Sequence, residues 1–170
     1  MNEISIRLLT EDDWQTWKTI RLEALKNTPE AFGSSYDEEA DQSEDDVKSY
    51  LSRNTIFGAF IGYELVGCAG YFRLQQIKMQ HRGVLYSLYV RPTHRGKGIA
   101  NRLIETVINH AKSRVIQLHV TCVTSNPTAL RLYQKHGFII YGTEPHSLKI
   151  GNVFYDEYLM ALEFAHTNLR

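Results

Sequence analysis

The decisive stretch of this sequence is a basic loop that carries two glycines, Val90-Arg91-Pro92-Thr93-His94-Arg95-Gly96-Lys97-Gly98-Ile99-Ala100. An apolar run from Leu85 to Val90 precedes the loop and stops at a proline, which indicates the end of a strand. Apolar residues then recur at helical spacing, at Ile99, Leu103, Ile104, Val107, Ile108 and Ala111. The first turn of a helix has free N–H groups and a partial positive charge, and glycines let a ligand approach the backbone. The stretch therefore predicts a site for a phosphorylated cofactor.

Length and charge set the broad class of the protein. The chain has 170 residues, 43% of them apolar, so we expect one globular domain over residues 1–170. Lys plus Arg and Asp plus Glu each number 19, and this neutrality argues against a general surface for nucleic acid or anionic membranes. No run approaches the ~20 apolar residues of a membrane helix, and the N-terminus lacks the pattern of a signal peptide. We expect a cytoplasmic location.

The two cysteines, Cys68 and Cys122, each lie inside an apolar, strand-like run. We expect them to be buried, reduced thiols. No spacing of His, Cys and Asp suggests a metal site, so we expect no metal.

The element order predicts a mixed α/β sheet, βααβββαβαββ, that is mostly antiparallel and flanked by helices. Thr10 and Asp13 fit a capping box that opens the first helix, and Asn27-Thr28-Pro29 ends that helix. The acidic segment Ser34 to Glu44 is expected to be a solvated loop, and an amine-binding rim is the alternative. We expect strands over 4–8, 55–61, 64–74, 82–90, 115–123, 138–141 and 152–164, and later helices over 45–51, 98–112 and 126–137.

A second motif is Asn126-Pro127-Thr128-Ala129-Leu130-Arg131-Leu132-Tyr133-Gln134-Lys135-His136-Gly137-Phe138. Asn is a favoured N-cap, Pro is tolerated at the first helical position, and Gly137 stands where a helix ends. The basic loop and this helix, separated by one helix and one strand, resemble the GNAT acetyltransferase superfamily, whose loop pattern is Gln/Arg-x-x-Gly-x-Gly/Ala. Together with the element order, the resemblance covers nearly all of the chain.

Two other phosphate-binding patterns fail here. A dinucleotide fingerprint needs a third glycine where this chain has Asn101, and its loop belongs to an opening βαβ unit rather than to mid-chain. The phosphate loop of ATPases needs Gly-Lys-Ser/Thr, which is absent. Without a ligand, Gly96 and Gly98 would form an ordinary tight turn.

The resemblance implies acetyl-CoA as co-substrate and assigns roles to individual residues. Backbone N–H groups of Arg95, Gly96, Lys97, Gly98, Ile99 and Ala100 would hold the pyrophosphate. Leu88, Tyr89 and Val90 would pair with the pantetheine arm, and an amide near Leu88 would polarise the thioester carbonyl. Asn126 would either bond the arm or serve only as a helix cap. Tyr133 would be the catalytic acid that protonates the leaving thiolate, although a tyrosine packed on the buried helix face is the alternative.

The base and the acceptor are less defined by the sequence. The strand before the loop carries no carboxylate, which puts a direct glutamate base in doubt; a water relay through Glu23, Tyr86 or Ser87 is an alternative. We expect His119 to be a structural histidine. The resemblance places acceptor walls at the first helix with its following loop and at the closing segment. A cationic acceptor could meet Glu30, Tyr36, Tyr155 and Asp156 there; the alternative for each is a surface or packing residue.

We therefore expect an acyl-CoA-dependent N-acyltransferase that moves an acetyl group to a small-molecule or amino-acid-like primary amine by direct attack in a ternary complex. The alternatives are a peptide N-terminal acetyltransferase, an acyl-CoA-binding module without turnover, and a nucleotide-binding regulator. Members of the family often form homodimers.

Overall fold

The computed structural model describes residues 3–165. Seven strands form one sheet in the order β1-β2-β3-β4-β5-β7-β6. The strands are β1 (Ile4–Leu8), β2 (Thr55–Ile61), β3 (Glu64–Arg73), β4 (Arg82–Val90), β5 (Gln117–Val123), β6 (Ile139–Ile150) and β7 (Val153–Glu163), and the helices are α1 (Trp14–Asn27), α2 (Tyr36–Ala40), α3 (Glu44–Arg53), α4 (Ile99–Ala111) and α5 (Pro127–Lys135). The β4–β5 pair is parallel, and the β1–β2, β2–β3, β5–β7 and β6–β7 pairs are antiparallel. The predicted class, a mixed and mostly antiparallel sheet with flanking helices, is confirmed.

The chain divides into two compact units. The first contains the residues up to Tyr71 together with Tyr86–Val107, and the second contains Phe72–Leu85 together with the residues from Ile108 onward. In the first unit, α1 and α3 pack against β1, β2 and residues 64–71 of β3 to form a hydrophobic core. Its buried members include Trp17, Ile20, Val47, Leu51, Ile56 and Leu65.

The second unit is built on β5, which pairs with β7 along its whole length, from Gln117↔Glu163 to Val123↔Glu157. Parallel pairing with β4 joins Arg82, Gly83 and Val84 to Gln117, Leu118 and His119. Leu118, Phe138 and Met160 are fully buried in this unit. Apolar residues on alternate positions of β5 produce the alternating burial that a half-covered strand requires.

Two sequence expectations need correction. The acidic segment is not all loop, because Ser35 and Glu38 form a capping box that opens the short helix α2. The closing strand does not end at Tyr141: β6 continues to Ile150, through Gly142 and Pro145, because register shifts absorb the irregular residues.

Candidate functional site

The glycine loop, Arg91–Gly98, lies in the first unit between β4 and α4. A short 3-10 turn over Pro92–His94 opens it, and the Arg91 N–H donates to the Val66 carbonyl at 2.9 Å. Gly96 has φ 75° and Gly98 has φ 77°, in the left-handed region that favours glycine. No atom lies within 4 Å of where a Cβ would stand on either residue, so the surrounding space is open. The loop thus exposes its backbone at the beginning of α4.

Side-chain charges around the glycine loop are divided between paired and exposed groups. Arg91 is neutralised by Glu23 at 3.0 Å and by Glu64 at 2.9 Å. Arg95 bends back, because its Nε donates to the Val90 carbonyl at 2.9 Å and its guanidinium lies 5.7 Å from the Tyr89 ring centre. Arg95 and Lys97 are exposed. The Arg95 N–H donates to the Pro92 carbonyl at 3.3 Å. The exposed backbone that follows it, at the beginning of α4 and beside two cations, suits a pyrophosphate.

The strand β4 has an unusual backbone just before the glycine loop. Ser87 is buried and has φ 58°, a left-handed conformation that is unfavourable for any residue with a Cβ. Its Oγ accepts a hydrogen bond from Nη1 of Arg21 at 2.9 Å, and its carbonyl accepts one from Sγ of Cys68 at 3.3 Å. Burial raises the pKa of the Cys68 thiol to about 12, so this group stays a neutral donor. The Leu88 amide, expected to polarise the thioester, directly follows this residue.

Arg21 on α1 is a buried cation for which no role was predicted from the sequence. Its Nε and Nη2 donate to the two carboxylate oxygens of Glu39 on α2, each at 2.9 Å. Burial alone would lower the pKa of Arg21, but the hydrogen bonds and charge of Glu39 raise that pKa overall. Trp17, Arg21 and Ala24 follow one another at helical steps, and all three are buried. A charged residue on an apolar helix face is the signal that would have indicated a buried partner.

Aromatic residues surround this ion pair. The Arg21 guanidinium lies 5.1 Å from the Phe32 ring centre. Tyr50 on α3 donates its hydroxyl to the Tyr86 hydroxyl at 2.7 Å and stacks on Trp17 at 6.2 Å between ring centres. Burial raises the pKa of both Tyr50 and Tyr86, so both phenols are neutral at physiological pH. These phenols can orient a polar group, but they are poor bases.

Two of the predicted site residues, Asn126 and Tyr133, lie in the second unit, on α5. Asn126 caps the helix: its Oδ1 accepts a hydrogen bond from the Ala129 N–H at 3.1 Å. Tyr133 is buried and meets Phe138 edge to face, with ring centres 5.8 Å apart. Burial, and to a lesser degree Cys122, raise the pKa of the Tyr133 phenol above its ordinary value. The Tyr133 phenol therefore keeps its proton at physiological pH and can donate a hydrogen bond toward a thiolate that develops beside it.

The other predicted site residues are distributed as follows. The first unit contains Glu30, Tyr36 and the residues expected to bind the donor, which are Leu88, Tyr89, Val90, Arg95, Gly96, Lys97, Gly98, Ile99 and Ala100. Tyr155 and Asp156 lie on β7 in the second unit. Asp156 accepts a hydrogen bond from the His146 N–H at 2.7 Å, where His146 has φ 52° and stacks on Phe154.

His119 contacts the Tyr141 hydroxyl at 3.1 Å and the Gln117 side chain at 3.0 Å, as expected of a structural histidine. Among residues 3–165, no group of three or more His, Cys, Asp or Glu side chains could hold a metal ion. Over the same residues, no helix is long and apolar enough to cross a membrane.

Two curated relatives of the chain are N-acetyltransferases. N-alpha-acetyltransferase RimI of Mycobacterium tuberculosis is 36% identical over 85 residues, which are 50% of this chain and 52% of that protein. Spermidine N(1)-acetyltransferase of Vibrio cholerae is 32% identical over 77 residues, 43% of each chain. The matched segments thus span about half the length or less of these curated relatives.

The fold has close counterparts among solved structures. The structure of YncA from Salmonella typhimurium with its cofactor acetyl-CoA has a TM-score of 0.85 at 17% identity, covering 99% of this chain and 98% of that one. The family described as Acetyltransferase (GNAT) family matches residues 14–138, which include the glycine loop and all of α5. This chain belongs to the GNAT acetyltransferase family.

Proposed function

We propose that this protein transfers the acetyl group of acetyl-CoA to the primary amine of a small molecule. The observation that carries the proposal is the glycine loop, with Gly96 and Gly98 both left-handed and open to solvent at the beginning of α4. Such a loop suits a pyrophosphate, the charged part of CoA. The solved relative that contains acetyl-CoA supports the choice of donor.

The reaction joins the acceptor nitrogen to the acetyl carbon and breaks the bond from that carbon to sulfur. In this proposal the Leu88 N–H stabilises the charge that develops on the thioester oxygen. Tyr133 gives its proton to the leaving thiolate, the acceptor nitrogen loses a proton to water after the attack, and the Tyr133 phenolate regains a proton from water. Leu88, Tyr89 and Val90 align the pantetheine arm, and Asn126 bonds it.

The acceptor class rests on the comparisons. Spermidine N(1)-acetyltransferase favours a small amine, whereas RimI favours the alternative, a peptide N-terminus. A third candidate is binding of acyl-CoA without turnover, which the lack of a carboxylate on β4 favours.

An acceptor screen with acetyl-CoA tests the proposal. One panel contains polyamines, amino acids and simple alkylamines, and the other contains peptides with free N-termini, each matched to its N-acetylated form. We expect thiol release, and a product heavier by one acetyl group, with members of the first panel. Release only with free peptides would establish the alternative. Binding of CoA without release on either panel would establish a binding module, and tighter binding of ATP or NAD than of CoA would overturn the donor assignment.

A further inference from the structure

One buried side chain, Arg21, connects three segments of the first unit. It lies on α1, holds both carboxylate oxygens of Glu39 on α2, and donates to Ser87 on β4. Only about a tenth of the Arg21 side chain is exposed. The proposed function assigns a task to none of the three side chains.

The contact with Ser87 falls on the strained point of β4. A left-handed residue with a Cβ persists only where its surroundings determine its conformation. For Ser87 these surroundings include the Arg21 guanidinium on the side chain and the Cys68 thiol on the carbonyl. Removal of the Arg21 contact would free the hydroxyl and let φ return toward the extended values of the neighbouring strand residues.

The direction of the Leu88 N–H depends on the conformation of Ser87, because the peptide plane between them turns with the backbone angles of Ser87. Stabilisation of a developing oxyanion requires a donor placed within a few tenths of an ångström. We infer that Arg21, held by Glu39, is a positioning residue for acetyl transfer: it fixes Ser87 in the left-handed conformation and so aims the Leu88 N–H. This inference rests on the proposed function.

Stability alone is a weak reason for this ion pair. A buried Arg–carboxylate pair loses hydration on both partners, and apolar residues of similar volume are often equally stable in its place. The Arg21 guanidinium also bonds a residue outside the ion pair, because its Nη1 donates to Ser87 while its Nε and Nη2 donate to Glu39. The planar guanidinium can make these three bonds at once, whereas an ammonium group cannot match that fork.

The main variant is Glu39→Gln, which keeps the shape of the side chain but removes its charge and one of its two acceptor oxygens. The matched control is Asp13→Asn, which makes the same change in a second arginine–carboxylate pair, where Asp13 accepts two bonds from the exposed Arg7. We expect Glu39→Gln to lower kcat about tenfold to a hundredfold with KM for acetyl-CoA within twofold of wild type. Asp13→Asn should leave both constants unchanged.

A second pair of variants keeps the inference testable if one protein folds poorly. Arg21→Lys retains a cation beside Glu39 but loses the bond to Ser87, and Ser87→Ala removes the same bond from the other side. Each variant should lower kcat. The two losses should not add in the double variant, because both changes remove the same hydrogen bond between Arg21 and Ser87. Thermal unfolding of each protein establishes that the folded state is being assayed.

A readout without acetyl-CoA separates this inference from the proposed function. The three-bond coupling between the amide and α protons of Ser87, and hydrogen exchange of the Leu88 amide, report the backbone directly. Both should change in Glu39→Gln and Arg21→Lys, and neither in Asp13→Asn.

If wild type acetylates an amine but Glu39→Gln keeps kcat and the Ser87 coupling, the inference is wrong. A rise in acceptor KM alone would instead make the pair an acceptor contact. If wild type releases no thiol with any amine, the proposed function fails, and an unchanged Ser87 coupling in Arg21→Lys would still exclude the positioning role.

Discussion

The Glu23 carboxylate on α1 accepts a hydrogen bond of 3.0 Å from the Arg91 guanidinium. Its other oxygen accepts one of 3.1 Å from the Tyr89 hydroxyl. Both oxygens of this carboxylate are therefore already occupied as hydrogen-bond acceptors. Glu23, a candidate for a water relay in the sequence analysis, instead holds the end of β4 against the first helix.

The two other relay candidates are also unsuited to accept a proton. The Oγ of Ser87 already accepts from Arg21. Burial raises the pKa of Tyr86, so the phenol is protonated at neutral pH and has no free base form there. We therefore expect the acceptor to lose its proton to solvent before it attacks.

This gives a prediction for the pH dependence. The value of kcat/KM should rise about tenfold per pH unit and level off at the pKa of the acceptor itself. The plateau should lie near pH ~10 for an alkylamine and near ~8 for a peptide α-amine. The measurement is kcat/KM from steady-state rates across the pH range, with two acceptors of different pKa. A midpoint that stays the same for both would show that a group of the protein is the base.

The positive φ angles of Gly96 and Gly98 predict a selective loss of donor affinity. Gly96→Ala and Gly98→Ala meet no steric obstacle, but each forces a Cβ into the left-handed region, at a cost of roughly 1–2 kcal/mol. If the loop relaxes, its N–H groups turn away from the pyrophosphate, and the Kd for CoA should rise about tenfold. Titration calorimetry measures the affinity.

The control for that experiment is Gly62→Ala in the turn between β2 and β3. Gly62 has φ 61° and equally open space, so the backbone strain is similar but no ligand is expected there. It should lose stability without losing CoA affinity. If Gly62→Ala loses as much CoA affinity, the effect of the loop variants is general destabilisation, and the glycine loop does not bind the donor.

Much of the fold follows from local pattern. The strands predicted over 4–8 and 55–61 agree with β1 and β2, because short strand-forming runs and a turn glycine such as the left-handed Gly62 are local signals. Asn126 caps its helix as predicted for the same reason. Helix α2 was missed because the acidic composition of its segment suggested solvent, although Ser35 and Glu38 carry the capping-box pattern.

The parts of the site that escaped prediction depend on contacts distant in sequence. Arg21 and Ser87 are separated by 66 positions, and nothing near Ser87 in the sequence indicates a left-handed backbone. Glu39 looked like one more solvated acid in a charged run, and only the buried partner distinguishes it. Local signals predicted the elements, whereas the contacts that shape β4 required the assembled unit.

The two roles considered for Asn126 can be separated by substitution. Asn126→Asp keeps an oxygen that can accept from the Ala129 N–H, so the helix cap and the stability should be preserved. The variant removes the amide N–H donor. If that donor bonds the pantetheine arm, the KM for acetyl-CoA should rise. Asn126→Ala should lose about 1 kcal/mol of stability as well. An unchanged KM in Asn126→Asp would show that the residue is only a cap.

The acid role proposed for Tyr133 predicts both a rate and a pH profile. Tyr133→Phe keeps the ring packed on Phe138 and removes only the hydroxyl, so kcat should fall by about 10²-fold or more with little change in stability. Tyr63→Phe, at a fully exposed tyrosine, is the control and should change nothing. Because burial raises the pKa of the Tyr133 phenol, the acid stays protonated, and the rate should show no alkaline fall below pH ~10. A fall centred near pH 8, or a Tyr133→Phe enzyme with the wild-type kcat, would assign the proton to another group and leave Tyr133 as a packing residue of α5.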